Sequence, residues 1–170
     1  MLLETSRLLI RAFKPDDALF LLKLMNTPEW LRFIGERNIR SEEDAINHIE
    51  TNLVPSYTQH GFGFWCVIEK ETGAPVGMNG LIKRDNLEDV DHGFAFLPEF
   101  TGRGFAYESS ISILNYARDV LEINKLIAIT DQDNTRSQAL LEKLEFTRIG
   151  IVTVKAEWGE SLLYEKYLNN

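Results

Sequence analysis

One stretch past the middle of the chain restricts its fold more than any other. An apolar strand, Val90-Asp-His-Gly-Phe-Ala-Phe-Leu97, stops at Pro98 and passes through Phe100-Thr-Gly-Arg-Gly-Phe-Ala106 into an amphipathic helix over 106–121. That helix returns the chain to a second short apolar strand, Lys125-Leu-Ile-Ala-Ile-Thr130. A strand joined to the next strand by one helix makes a parallel pair, so the fold must contain at least one crossover. The glycine-containing turn has a chemical consequence as well. It aims unpaired backbone N–H groups and the positive end of a helix at one point, which suits a phosphate. Arg103 within the turn adds a full charge to that point.

The remaining segments surround this unit with a different pattern. Arg7 to Phe13 reads as a strand, and Pro15-Asp-Asp17 opens a helix whose apolar stripe is Ala18, Leu21, Leu22 and Met25, ending at Asn26-Thr-Pro28. Ser41-Glu-Glu-Asp44 resembles a capping box for a helix through Leu53. The period then changes to that of strands at 62–68 and 75–82, joined as a hairpin by Glu71-Thr-Gly73. Asn134 can cap a helix through Leu144, and strands at 148–154 and 161–167 close the chain as an antiparallel pair. The order β, α, α, β, β, β, α, β, α, β, β predicts a mixed α/β fold. Its sheet is mostly antiparallel with one central parallel pair, unlike the strict alternation of a doubly wound fold.

Composition excludes several function classes. With 170 residues, 44% hydrophobic and 26% charged, the chain has the make-up of a globular protein of one domain's size. No apolar run approaches the roughly 20 residues that span a bilayer, and the N-terminus lacks the pattern of a signal peptide. A single cysteine, Cys66, allows no internal disulfide and is expected in the core, so a cytoplasmic location is expected. The net charge of −8 argues against broad nucleic-acid binding. No His/Cys/Asp cluster has metal-ligand spacing, so no metal is expected.

Three phosphate-binding loops compete for the turn. A P-loop needs Lys and then Ser or Thr after its second glycine, and Phe105-Ala106 stands there instead. A dinucleotide fingerprint needs a small residue where Tyr107 stands. Thr101-Gly-Arg-Gly-Phe-Ala106 matches the R/Q-x-x-G-x-G/A loop that binds the pyrophosphate of coenzyme A at Gly104 and Ala106. With Asn134-Thr-Arg-Ser137, Leu141-Glu-Lys-Leu-Glu-Phe146 and the opening Glu4-Thr-Ser-Arg-Leu-Leu-Ile-Arg11, the chain resembles the GNAT superfamily of acetyltransferases, and within it the RimJ/RimL-like branch. The likeness runs through nearly the whole chain, as a single acetyltransferase domain over 1–170. It departs from the family pattern at Thr101, where Gln or Arg is usual, at Glu145, where glycine is usual, and at Leu141, where many members carry a tyrosine acid.

The resemblance implies direct transfer of acetyl from acetyl-CoA, as cosubstrate, to a primary amine of a protein N-terminus or a small molecule. The alternative is a catalytically silent acetyl-CoA-binding sensor or regulatory domain. The implied coenzyme contacts are Phe96, Leu97, Thr101, Gly102, Arg103, Gly104, Phe105, Ala106 and Asn134, with backbone N–H near Leu97 as donor to the developing oxyanion. Ser137 carries over as the acid for the thiolate and Asn134 as a coenzyme contact, the alternative being that Asn134 only caps the helix and Ser137 sits in its first turn. Asp91, on one strand face with Gly93, Ala95 and Leu97, is the first choice of base, Glu99 a weaker one, and His92 is expected in the core. Gly93 and Ala95 leave room either for the pantetheine arm or for a packed element. Trp30, Phe33, Trp65 and Trp158 are candidate walls for the acceptor, and Glu29, Glu36 and Glu157 candidate attractors of a cationic amine. No nucleic acid or membrane is expected as a partner, and an exposed strand edge in the closing hairpin offers a place for two copies to pair.

Overall fold

The computed structural model describes residues 2–169. Its strands are β1 (Leu2–Glu4), β2 (Leu8–Ala12), β3 (Phe64–Glu69), β4 (Pro75–Ile82), β5 (Val90–Phe96), β6 (Lys125–Asp131), β7 (Thr147–Val152) and β8 (Ser161–Tyr167). They form one sheet in the order β1-β2-β3-β4-β5-β6-β8-β7. Every neighbouring pair is antiparallel except β5–β6, the parallel pair that the crossover demands. The mixed, mostly antiparallel architecture expected from the sequence is therefore the one observed. The strand β1, with its three residues, carries too short a pattern to be read beforehand.

The helices are α1 (Ala18–Leu24), α2 (Pro28–Phe33), α3 (Glu42–His48), α4 (Val54–His60), α5 (Phe105–Asp119) and α6 (Thr135–Lys143). One core cluster joins α1, Trp30 of α2 and Ala45 of α3 to Cys66, Ile68, Met78 and Leu97 on one sheet face. The other joins Phe105, Ile113, Leu114 and Ala117 of α5 and Leu141 of α6 to Trp65, Val67, Leu126 and Ala128. Cys66 and His92 are both buried, as expected.

Two helix boundaries differ from expectation for local reasons. Asn26-Thr-Pro28 does end α1, but Thr27 accepts the Trp30 N–H and Pro28 occupies the first helical position, so the stop also starts α2. The helix capped by Ser41 and Asp44 was expected to end at Leu53. It continues through a π-helical turn over Ile49–Leu53 into α4, which contains Pro55. A wider turn absorbs the ring and the missing N–H that would break a regular helix.

The central pair shapes the site. The strands β5 and β6 register only at Val90↔Leu126 and Asp91↔Ile127, so they part beyond Asp91. On its other side β5 stays in the ladder with β4 as far as Gly77↔Phe96. Gly77 is required there, since a Cβ at that position would come within 2.4 Å of the Phe96 ring.

Candidate active site

A cavity of about 560 Å³ lies where β5 and β6 part. Its walls are Phe94, Ala95 and Phe96 of β5, Trp30 and Phe33 of α2, the loop from Pro98 through the first turn of α5, and the start of α6. Phe94 and Phe96 pack with the α5 core and Ala95 with the α1–α3 core, so the cavity passes through the gap in the sheet.

The loop is built from backbone. Pro98–Phe100 forms a single 3-10 turn, closed by the Thr101 hydroxyl donating to Pro98 O at 2.8 Å. Gly102 (φ 77°) and Gly104 (φ 82°) then take the left-handed conformation, which glycine adopts without the penalty of a Cβ. Gly104 is the N-cap of α5 and supplies no side-chain cap. The N–H groups of Phe105, Ala106 and Tyr107 therefore have no partner within the helix. All three residues line the cavity, as do Thr101, Gly102 and Gly104.

Arg103 departs from expectation. Its side chain does not line the cavity: Nη2 lies 2.6 Å from Oε1 of Glu69, a carboxylate only 4% exposed. The guanidinium also covers the Phe105 ring at 4.6 Å, with Arg7 on that ring at 4.7 Å and donating to Arg103 O at 2.9 Å. The buried acid at the end of β3 draws the charge away from the phosphate point, so Arg103 clamps the loop to the sheet instead.

Leu97 departs in the same way. Its N–H donates to Val76 O at 3.0 Å and the side chain is in the core, so it is no free donor. Successive N–H groups of a strand point to opposite edges. Those of Phe94 and Phe96 therefore face the β6 edge, where pairing has already ended. Of the two residues expected to offer free backbone, Phe96 does and Leu97 does not.

On the opposite wall Asn134 accepts the Ser137 N–H at 3.1 Å and caps α6. Both side chains belong to residues lining the cavity, so capping and cavity contact coexist. Leu141 is 1% exposed in the core and not on the lining. The cations Arg136 and Lys143 of α6 line the cavity beside Tyr107, with Lys143 Nζ 4.4 Å from the Tyr107 ring centre. Helical spacing alone puts Arg136, Leu140 and Lys143 on one face, with Ser137 beside it one turn before Leu140, a signal present in the sequence but not drawn from it.

The expected bases lie elsewhere. Asp91 sits where β5 and β6 still pair and outside the lining, with Oδ2 on Arg84 Nε at 2.8 Å. Burial pushes its carboxyl up to about 6 against the opposing pull of Arg84, and Oδ1 has no hydrogen-bond partner among the described residues. Glu99 is exposed, paired with Lys23 and held below the usual carboxylate range by that hydrogen bond. His92 is lodged under α5, with Nε2 3.2 Å from Ser110 Oγ and its ring against Phe146; burial lowers it to about 4. A Cβ at Gly93 would meet the Phe64 ring at 3.1 Å, so Gly93 admits a packed neighbour while Ala95 faces the cavity. Trp65 is core against Tyr116 rather than acceptor wall. Among the described residues no group of three His, Cys, Asp or Glu is placed to hold a metal.

The site can thus hold an elongated molecule through the gap, with a phosphate-bearing end at the α5 N-terminus and a carbonyl at Phe96. The model of the acetyltransferase (GNAT) domain family matches residues 7–147. The uncharacterized N-acetyltransferase YoaA of Bacillus subtilis (strain 168) is 27% identical over 154 residues, covering 89% of this chain and 85% of YoaA. In fold, a GNAT-family acetyltransferase from Bacillus anthracis superposes with a TM-score of 0.81 over 99% of each chain, at 23% identity. The ribosomal-protein-S5-alanine acetyltransferase of Vibrio fischeri gives 0.84 over 100% of this chain and 98% of its own, at 16% identity.

Proposed function

The chain belongs to the GNAT acetyltransferase family, and from that premise we propose that it moves the acetyl group of acetyl-CoA directly onto a primary amine. The observation that carries this reading is the uncapped first turn of α5 opening on the same cavity as Phe96 and Ser137. Acetyl-CoA, when bound, supplies the acetyl group as a thioester. The N–H groups of residues 104–107 hold its pyrophosphate, and the unpaired edge of β5 holds the arm. The Phe96 N–H donates to the acetyl oxygen, where negative charge develops as the amine attacks. Ser137 gives a proton to the departing thiolate, and Asn134 fixes the start of α6 that carries it. Asp91 is set back from the cavity and acts by holding Arg84, so the amine proton leaves through water. The acceptors implied by the RimJ/RimL-like landmarks are protein N-termini and small amines, and one acetyltransferase domain accounts for residues 1–170.

Thiol release from acetyl-CoA with a panel of N-terminal peptides and small amines tests the reading, alongside calorimetry with acetyl-CoA. Acetyl-CoA should bind and at least one acceptor should be turned over. Ser137→Ala should lower kcat about 100-fold with little change in the KM for acetyl-CoA. Binding without turnover on any acceptor would overturn the enzyme reading in favour of a sensor. An unchanged kcat in Ser137→Ala would remove the serine from its role.

A further inference from the structure

Beyond the cavity, on the sheet face shared by Asp91 and Ala95, three cations surround one indole ring. Arg37 Cζ lies 5.1 Å, Arg84 Cζ 5.7 Å and Lys155 Nζ 4.7 Å from the centre of Trp158. They come from three separate places: the loop after α2, the loop after β4, and the connection between β7 and β8. Of the three, Arg84 alone has a carboxylate partner, Asp91. Among the described residues no carboxylate oxygen lies within ion-pair distance of Arg37 or Lys155. Glu157, adjacent in sequence, pairs with none of them, and Glu36 is taken by Arg40 at 2.9 Å.

This arrangement does not serve stability. Arg37 is half-buried, and burial together with the charge of Arg84 lowers its pKa. Like charges brought together around a half-buried guanidinium cost free energy unless an anion joins them. The chain has 26 acidic residues to 18 basic ones, yet among the described residues Asp91 is the one counter-charge paired within this cluster. A second cavity, of about 260 Å³, adjoins Arg37 and is lined by Asn38, Asn47, His48 and Asn52 with Ile39 and Asp44. Asp44 already accepts the N–H groups of Arg40 and Ser41 at 2.9 and 3.0 Å. Asn52 Nδ2 lies 3.0 Å from His48 Nδ1. The pocket beside Arg37 thus sets its guanidinium among three asparagine amides and His48, with its one carboxylate, Asp44, already engaged.

Its distance from the wall of the main cavity is within the length of a small molecule. Ile34 lines the main cavity, and Arg37 follows three residues later, a reach of at most about 10 Å. Asp91 is four residues along β5 from the cavity residue Ala95, about 13 Å.

We infer that the acceptor amine carries an anionic group, a carboxylate or a phosphate, which Arg37 binds with Arg84 and Lys155 beside it around Trp158. A guanidinium presents paired donors that match either oxyanion, and the indole face holds the cations in place without neutralising them. A polyamine would bring positive charge to positive charge, so the same cluster rejects it. Of the acids expected to draw a cationic amine, Glu29 lines the main cavity, while Glu36 and Glu157 lie beside Arg37 and Trp158 in sequence and pair with none of the three cations. The inference rests on the acetyltransferase reading and narrows its acceptor.

Matched acceptors test it: short peptides with a free or an amidated C-terminus, aminoalkyl phosphates against the aminoalcohols, and spermidine. With saturating acetyl-CoA the anionic member of a pair should have at least a tenfold higher kcat/KM. The pair showing the larger ratio identifies carboxylate or phosphate as the anion. Arg37→Met should abolish the preference through KM while leaving the neutral partner within twofold, and Arg37→Lys should recover part of it. Lys155→Met, at an exposed position, should halve the preference or more and stands in if Arg37→Met does not fold. Calorimetry of the same pairs with the CoA-bound protein needs no turnover. If no amine is acetylated, the acetyltransferase reading falls, while tighter binding of the anions that Arg37→Met removes still upholds this inference. Equal or better use and binding of neutral amines or spermidine, or an equal loss for both members of a pair in Arg37→Met, would overturn it.

Discussion

Asp91 and His92 are neighbours on β5, face opposite sides of the sheet, and should impose opposite pH dependences on stability. Burial raises the Asp91 carboxyl from 3.8 to about 6. A raised carboxyl means the folded state binds the proton more tightly than the unfolded chain. Its contribution is fully present below pH 4 and is lost as the pH rises through 6. At about 1.4 kcal/mol for each pH unit between the two values, the loss is about 3 kcal/mol. Burial lowers His92 from 6.5 to about 4. Its contribution runs the other way, present above 6.5 and lost as the pH falls through 4, also about 3 kcal/mol. Between pH 4 and 6 the two nearly cancel in the wild-type protein.

Asp91→Asn uncovers the His92 contribution. Urea unfolding at intervals from pH 4 to 7.5 should show the variant gaining stability with pH, as His92 alone dictates. The wild-type-minus-variant difference should fall by about 3 kcal/mol over the same range, with most of the fall between pH 4 and 6. Leaving Arg84 without its partner displaces the whole difference curve by a constant and does not alter its shape. Parallel curves for the two proteins, or a difference that rises with pH, would refute the account of Asp91 as a buried carboxyl held up by desolvation.

Gly104→Ala forces a Cβ onto a residue with φ 82°. The nearest atom is the mobile Arg7 Nη2 at 3.2 Å, so strain of about 1–2 kcal/mol should appear as a tenfold or weaker hold on acetyl-CoA by calorimetry. Glu145→Gly should raise stability by about 1 kcal/mol in urea unfolding, because Glu145 takes φ 65° and its pair with Lys166 is exposed. Arg103→Met and Glu69→Gln should each weaken acetyl-CoA binding, and the double variant should be no worse than the poorer single one. Full additivity in calorimetry would mean that Arg103 reaches the phosphate independently of Glu69.

Legibility of the fold followed the length scale of each signal. The parallel pair was readable because strand, turn, helix and strand are consecutive, and a crossover helix admits only one relative direction. The hairpin of β3 and β4 was readable from its turn. Three features escaped because their signals are short or double-edged. The strand β1 has three residues. Thr27-Pro28 both stops α1 and starts α2. Pro55 reads as a helix breaker, and only the wider turn before it lets the chain pass through.

The two ends of the site differ in the same physical respect. The donor end is backbone chemistry concentrated in residues 96–107, so glycines and a helix start disclosed it. Even there the side chains misled, since Arg103 was read by its charge alone and its fate was decided by Glu69, 34 residues away. Leu97 and Phe96 looked equivalent until the register with β4 assigned one N–H to Val76 and left the other facing the gap. The far end has no local signature at all. Arg37, Arg84 and Lys155 belong to three loops and meet only because α2, β4 and the β7–β8 connection end on the same side of the sheet. A net charge of −8 says nothing of this local cluster. The structure gathers Arg37, Arg84 and Lys155 around Trp158 with Asp91 as their one carboxylate partner, and local charge governs binding at contact distance because the field of distant surface acids is screened within about 10 Å.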